Sequence, residues 1–94
     1  MIKVIIERNI AVGMEDTYRD AIRETLKTVI EAPGYISSES LIDLKKTKHK
    51  IIITNWVSIQ AWDQWHNSAE RREVTSKIAA ILEEVEKVTV TEPN

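Results

Sequence analysis

Between Trp56 and Arg71 the chain reads Trp56-x-Ser58-x-x-Ala61-Trp62-x-x-Trp65-x-x-Ser68-x-x-Arg71. This stretch holds all three tryptophans of a 94-residue sequence that has no phenylalanine. Indole rings are flat, bury large apolar areas and stack, so the cluster suits a pocket for a flat small molecule, with Trp56 and Trp65 as its wall. The polar side chains that could act on such a ligand are Asn9, His66 and Arg71. Each has a plainer alternative: Trp56 and Trp62 as core, Trp65 as the end of the core, His66 on the surface, Asn9 bonding a strand end. Arg71 and Arg72 open the last helical stretch, the unfavourable end of its dipole for a cation, although pairing with Glu70 or Glu73 would explain them. Other chemistries lack support. With only Gly13 and Gly34 there is no phosphate-cradling loop, and with no cysteine there is no thiolate site and no disulfide. No H-E-x-x-H occurs, His49 and His66 lack carboxylates at ligand spacing, and no serine sits in a nucleophile elbow.

The elements that must position these residues follow from periodicity. Ile2 to Ile10 is rich in β-branched residues, with Ile2, Val4, Ile6 and Ile10 on one side of a strand. From Tyr18 the spacing becomes helical: Tyr18, Ala21, Ile22, Thr25, Leu26, Val29 and Ile30 form one stripe. Pro33 and Gly34 stop that helix near Glu31. Tyr35 to Leu44 predicts a second strand, Lys45 to Lys48 a turn, and His49 to Val57 a third strand, apolar on both faces at Ile51, Ile52 and Ile53. Ser58 caps the next helix. Asn67 and Glu70 resemble a capping box, so a kink or restart is expected there, with the helix running on through Val74, Ile78, Ile81, Leu82 and Val85. Lys87 to Thr91 makes a short last strand.

The order is strand, helix, strand, strand, helix, strand. This predicts an α+β fold, the ferredoxin-like βαββαβ arrangement with a four-stranded antiparallel sheet. Two helices cover one face of such a sheet. The other face would carry Ile5, part of strand three and, from strand two, Tyr35 with Leu41 on one side or Ile36, Ile42 and Leu44 on the other. So much aliphatic surface predicts a homodimer through the sheet face.

Thirteen basic residues against fifteen acidic ones give a net charge of −2, which is not the footprint of a nucleic-acid binder. No stretch approaches the roughly 20 apolar residues of a membrane span, and the first residues lack the features of a signal peptide. A cytoplasmic location without nucleic-acid or membrane partners is the expectation.

Ala32-Pro33-Gly34-Tyr35, closing helix one into strand two, and the Trp56-x-Ser58-x-x-Ala61 stretch, joining strand three to a helix, occur in the right order for one family. The chain resembles the antibiotic biosynthesis monooxygenase (ABM) domain family over nearly its whole length, as a single domain spanning residues 1–94. The resemblance implies a dimeric α/β barrel, each subunit keeping a pocket between sheet and helices. It implies a cofactor-independent monooxygenase acting on a phenolic or quinol-type molecule. Trp56, Trp65 and Tyr35 would bind substrate, Tyr35 fitting either the pocket rim or the dimer face, and the catalytic polar group is left open among Asn9, His66 and Arg71. A non-catalytic or stress-related dimer holding a small apolar ligand is the alternative. The heme-degrading branch resembles the chain around Trp65-x-x-Ser68 and uses an asparagine on strand one, near Asn9. It carries its iron-ligating histidine ten residues after that tryptophan, where this sequence has Thr75, so heme is not expected.

Overall fold

The β-branched opening segment forms strand β1, Ile2–Asn9, and the tyrosine-led stripe forms helix α1, Glu15–Val29. They are followed by β2, Tyr35–Ile42; β3, His49–Trp56; α2, Ile59–His66; α3, Ala69–Ala79; and β4, Lys87–Thr91. The computed structural model describes all residues, 1–94. The strands form one antiparallel sheet in the order β2-β3-β1-β4, the ferredoxin-like βαββαβ topology.

The period-2 alternation in β1 and β3 sorts side chains to two faces. Ile2, Val4 and Ile6 of β1 and Ile52, Thr54 and Trp56 of β3 are buried beneath the helices. The tyrosine-led stripe of α1 packs on them through Tyr18, Ala21, Ile22, Thr25 and Val29. Ile5, Ile51 and Ile53 lie on the other face, where Ile5 is in register with Ile53 and Ile51 with Glu7 across β1 and β3.

Three details differ from the sequence expectation. First, β2 carries an irregularity between Tyr35 and Ser37: Tyr35 opposes Trp56, while Ser37 opposes Asn55. The extra residue reverses the alternation. Tyr35 and Leu41 are therefore on opposite faces, and Tyr35 packs edge-on against Trp56 at 5.7 Å. Second, the helix restart is capped by Ser68, whose hydroxyl accepts from the Arg71 amide at 3.1 Å; Asn67 instead ends α2. Third, α3 stops at Ala79 rather than continuing to Val85. Leu82 forms a β-bridge with Ile10, and Val85 is exposed. Glu83, Glu84 and Glu86 would crowd negative charge at a helix C-terminus, and the backbone at 81 and 83 bonds the end of β1 instead.

Gly34 is required where α1 turns into β2. Its φ is +83°, and an added Cβ would lie 2.5 Å from the Cβ of Ala61. Gly34→Ala is expected to cost about 1–3 kcal/mol through backbone strain and displacement of α2, read as a lowered midpoint in thermal unfolding.

Candidate functional site

Alternation along β1 brings Arg8 to the same face as Val4 and Ile6, so an arginine sits 2% exposed beneath the helices. Thr54 reaches that face from β3, Thr25 from α1, and Arg71 and Thr75 from α3. These five polar residues line a small cavity of about 20 Å³, with Trp62 and Trp65 of α2 among its apolar walls. That volume holds about one water. An outer groove of about 510 Å³ runs between α3 and the segment leading to β4. Arg8, Arg71 and Thr75 border both spaces, so they form the partition between them.

Glu86, on the groove side, bridges the two arginines. Its Oε2 accepts from Arg8 Nε at 2.7 Å and its Oε1 from Arg71 Nη2 at 3.0 Å. Arg71 also lies over the Trp62 ring, 5.8 Å from its centroid, which favours a cation on an aromatic face. Arg8 Nη1 and the Tyr18 hydroxyl are both buried without a partner at full hydrogen-bond geometry, although Arg8 lies close enough to Tyr18 for hydrogen bonding to pull the phenol's pKa down. Burial raises the Tyr18 pKa above 10.0, against the opposing pull of the nearby Arg8 charge, so the phenol is neutral. The threonines are mostly committed inward. Thr25 donates to the Ala21 carbonyl at 2.9 Å and Thr75 to that of Arg71. Thr54 accepts from Trp56 Nε1 at 2.9 Å, which leaves its own proton free to donate.

Burial alone would raise the Glu86 pKa, but the charge and hydrogen bond of Arg8 and the hydrogen bond and charge of Arg71 outweigh it and hold the carboxyl below 4.5. A carboxyl with a depressed folded-state pKa contributes stability that is complete above its unfolded value and lost as pH falls through the folded one. The Tm difference between the wild type and Glu86→Gln is therefore expected to be constant above pH 4.5 and to shrink below it. A difference unchanged on acidification would contradict the ion-pair assignment.

The candidates from the sequence are dispersed. Arg71 and Trp65 border the cavity. Trp56 is fully buried and supports the site from behind, through Thr54 and through its stack on Trp65 at 6.5 Å. The Tyr35 hydroxyl hydrogen-bonds the Ser38 hydroxyl at 2.8 Å. Asn9 follows the opposite alternation from Arg8 and donates to Glu84 Oε1 at 2.8 Å. His66 leans on the Trp62 ring at 5.0 Å; burial and the Arg71 charge lower its pKa below 6.5, so it is neutral near pH 7. His49 lies on the other face of the sheet between Asp43 and Glu7, at 3.1 and 3.2 Å, a pairing hidden in the sequence because it joins a turn to a neighbouring strand. Arg8 and Glu86 were absent from the candidates. Strand parity with Ile6 marks Arg8; nothing in the local sequence marks Glu86.

The profile of the antibiotic biosynthesis monooxygenase family matches residues 1–77. The chain belongs to that family. The ABM match runs from β1 through α2 and into α3 as far as residue 77, and so includes all of the cavity lining. Solved structures of similar fold include an antibiotic biosynthesis monooxygenase at 20% identity and TM-score 0.90, covering 100% of this chain and 99% of that one. A conserved protein from Methanosarcina mazei Go1 is 12% identical with TM-score 0.92, covering 99% and 92%. SnoaB, a cofactor-independent oxygenase from Streptomyces nogalater, is 11% identical with TM-score 0.87, covering 98% and 91%. No curated protein matches the chain. No helix of this ABM protein is long and apolar enough to cross a membrane. Its residues do not fit an axially ligated heme: the Thr75 hydroxyl is turned to the Arg71 carbonyl, and neither histidine borders the cavity.

Proposed function

We propose that this ABM protein is a cofactor-independent monooxygenase that oxidises a phenolic or quinol-type molecule between the sheet and the helices. The observation that carries the proposal is the buried, unpartnered Arg8 Nη1 at the wall of a cavity bordered by two tryptophans. A buried guanidinium nitrogen with no protein partner is costly to leave unpaired and favours an anion within its reach. A phenolate is an anion with a flat body. Its ring would lie in the outer groove of about 510 Å³ that Arg8 also borders, with its oxygen at the arginine, and the anion would be stabilised against its protonated form, because a fixed positive charge in a desolvated site lowers a phenol's pKa.

The chemistry then balances without another electron donor. A phenolate gives one electron to O₂, and the resulting radical pair combines at a ring carbon to a peroxide. Loss of water from that peroxide leaves a quinone. For a phenol bearing hydrogen at the reacting carbon, ArH(OH) + O₂ gives the quinone and H₂O, the substrate supplying all four electrons. Arg8 holds the anion, Trp62 and Trp65 exclude water, and Thr54 is a further donor. The test is oxygen uptake on a panel of hydroquinones, naphthols and anthrones. Uptake above the protein-free control supports the proposal, and uptake equal to the control contradicts it. One observation favours the alternative of a non-catalytic binder: no carboxylate or histidine borders the inner cavity to act as a base. Saturable binding without oxygen uptake would distinguish that alternative.

The working unit is proposed to be a homodimer through the second sheet face. Ile5 opposite Ile53, and Ile51 opposite Leu41, which is 42% exposed, supply its aliphatic centre. Sedimentation at micromolar concentration is expected to give about twice the chain mass of 10.8 kDa. A clean monomer would contradict it.

A further inference from the structure

We infer that Arg8 and Arg71 form a carboxylate-binding site, that Glu86 fills it in the free protein, and that the substrate is an aromatic acid whose carboxylate displaces Glu86. This rests on the oxygenase proposal for the location of the site and names a substrate class for it. Glu86 offers one oxygen to each arginine, Oε2 to Arg8 Nε at 2.7 Å and Oε1 to Arg71 Nη2 at 3.0 Å. Two donors from two strand- and helix-borne side chains, spaced for the two oxygens of one carboxyl group, are a template for a bidentate anion. A phenolate, with one oxygen, satisfies half of it. The two arginines and Glu86 sum to one positive charge where they meet, while Glu84, which also borders the groove, accepts a hydrogen bond from Asn9 instead.

The partners differ in how firmly they are held. Arg8 is anchored on the central strand β1, and Arg71 is fixed by the capped first turn of α3 and by the Trp62 ring. Glu86 belongs to neither a helix nor a strand. No backbone hydrogen bond is donated by Glu84, Val85 or Glu86, whereas the preceding residue Glu83 donates to the Asn9 carbonyl. The carboxylate can therefore withdraw while the arginines stay. The outer groove beside it has Ile78, Leu82 and Val85 for an aromatic body, and its volume of about 510 Å³ suits a small molecule. Withdrawal of Glu86 would leave the two guanidiniums at the inner end of that groove, against the cavity where Arg8 Nη1 stands free.

The test compares 2-naphthoate with its neutral isostere 2-naphthamide by calorimetric titration of the whole protein. The wild type is expected to bind the naphthoate at least about tenfold tighter, the difference made by a charge-assisted bidentate contact. Glu86→Gln removes the internal competitor while keeping a neutral side chain that can still bond the arginines. It is expected to tighten naphthoate binding by about threefold or more, because more of the protein is then binding-competent, and to leave naphthamide binding unchanged. Arg71→Met is expected to erase the preference. Equal affinity of the wild type for both probes, which needs no variant to fold, would overturn the inference. So would a Glu86→Gln variant that binds naphthoate no better than the wild type does. Oxygen uptake on neutral phenols with no carboxylate preference would leave the oxygenase proposal standing and this inference overturned. Carboxylate preference without any oxygen uptake would do the reverse.

Discussion

Trp56→Ala is expected to destabilise the protein by about 3–5 kcal/mol, the range for removing a large aromatic side chain from a packed core. Trp56 is fully buried, meets Trp62 and Tyr35 edge-on at 5.9 and 5.7 Å, and stacks on Trp65 at 6.5 Å. The substitution would leave a void at the centre of this cluster and strip Thr54 of the indole N–H it accepts. A domain of this size commonly has about 5–15 kcal/mol in all, so the variant should lose a large share of its stability. Chemical denaturation with an unchanged m-value and a much lower midpoint is the expected outcome. A loss below about 1 kcal/mol would show that the cluster is not close-packed. Trp56→Phe, which keeps a ring but not the N–H, separates packing from the Thr54 hydrogen bond.

Arg8 carries the second large effect. Arg8→Met removes the free Nη1 donor and leaves Glu86 with Arg71 alone. Breaking one partner out of a buried ion pair costs about 3–5 kcal/mol, and removing a preorganised donor from a developing oxyanion costs about 10²–10³ in kcat. Arg8→Lys distinguishes the two: it keeps the charge, and much of the stability, but lacks the planar fork. Its expected signature is near-native thermal unfolding with a strongly reduced kcat. In Arg8→Met, which removes the charge, the acid limb of the pH–rate profile should in addition move to higher pH, because the substrate phenol is no longer acidified. A purely structural role for Arg8 would leave that limb where it is.

The two large effects mark what could be read from the sequence and what could not. The alternation of Ile2, Val4, Ile6 and Ile10 announced β1, and the tyrosine-led stripe announced α1 with its buried face, although Ile30 at the same spacing lies past the helix and is exposed. The tryptophan cluster was placed correctly at the passage from β3 to α2, yet its members divide: Trp62 and Trp65 border the cavity while Trp56 stands behind it. Arg8 obeys the same parity as Ile6, so its burial was legible, but charge alone usually marks a strand end. Glu86 was not legible. Its place depends on α3 ending at Ala79, and the helical spacing of Ile81, Leu82 and Val85 imitates a continuing helix. The competing force is tertiary: the end of β1 takes up the backbone at 81 and 83, which no local pattern encodes. The irregularity after Tyr35 was hidden for a similar reason, since one extra residue in β2 leaves no compositional mark.

The most direct test of the oxygenase chemistry is turnover of a carboxylated naphthol under ¹⁸O₂ by purified protein freed of metal by chelation. The expected result is protein-dependent uptake of one O₂ per quinone formed, with one labelled oxygen in the quinone, the other in water, and the rate lost in Arg8→Lys. Uptake no faster than in the protein-free control, or a quinone whose new oxygen comes from water, would contradict it.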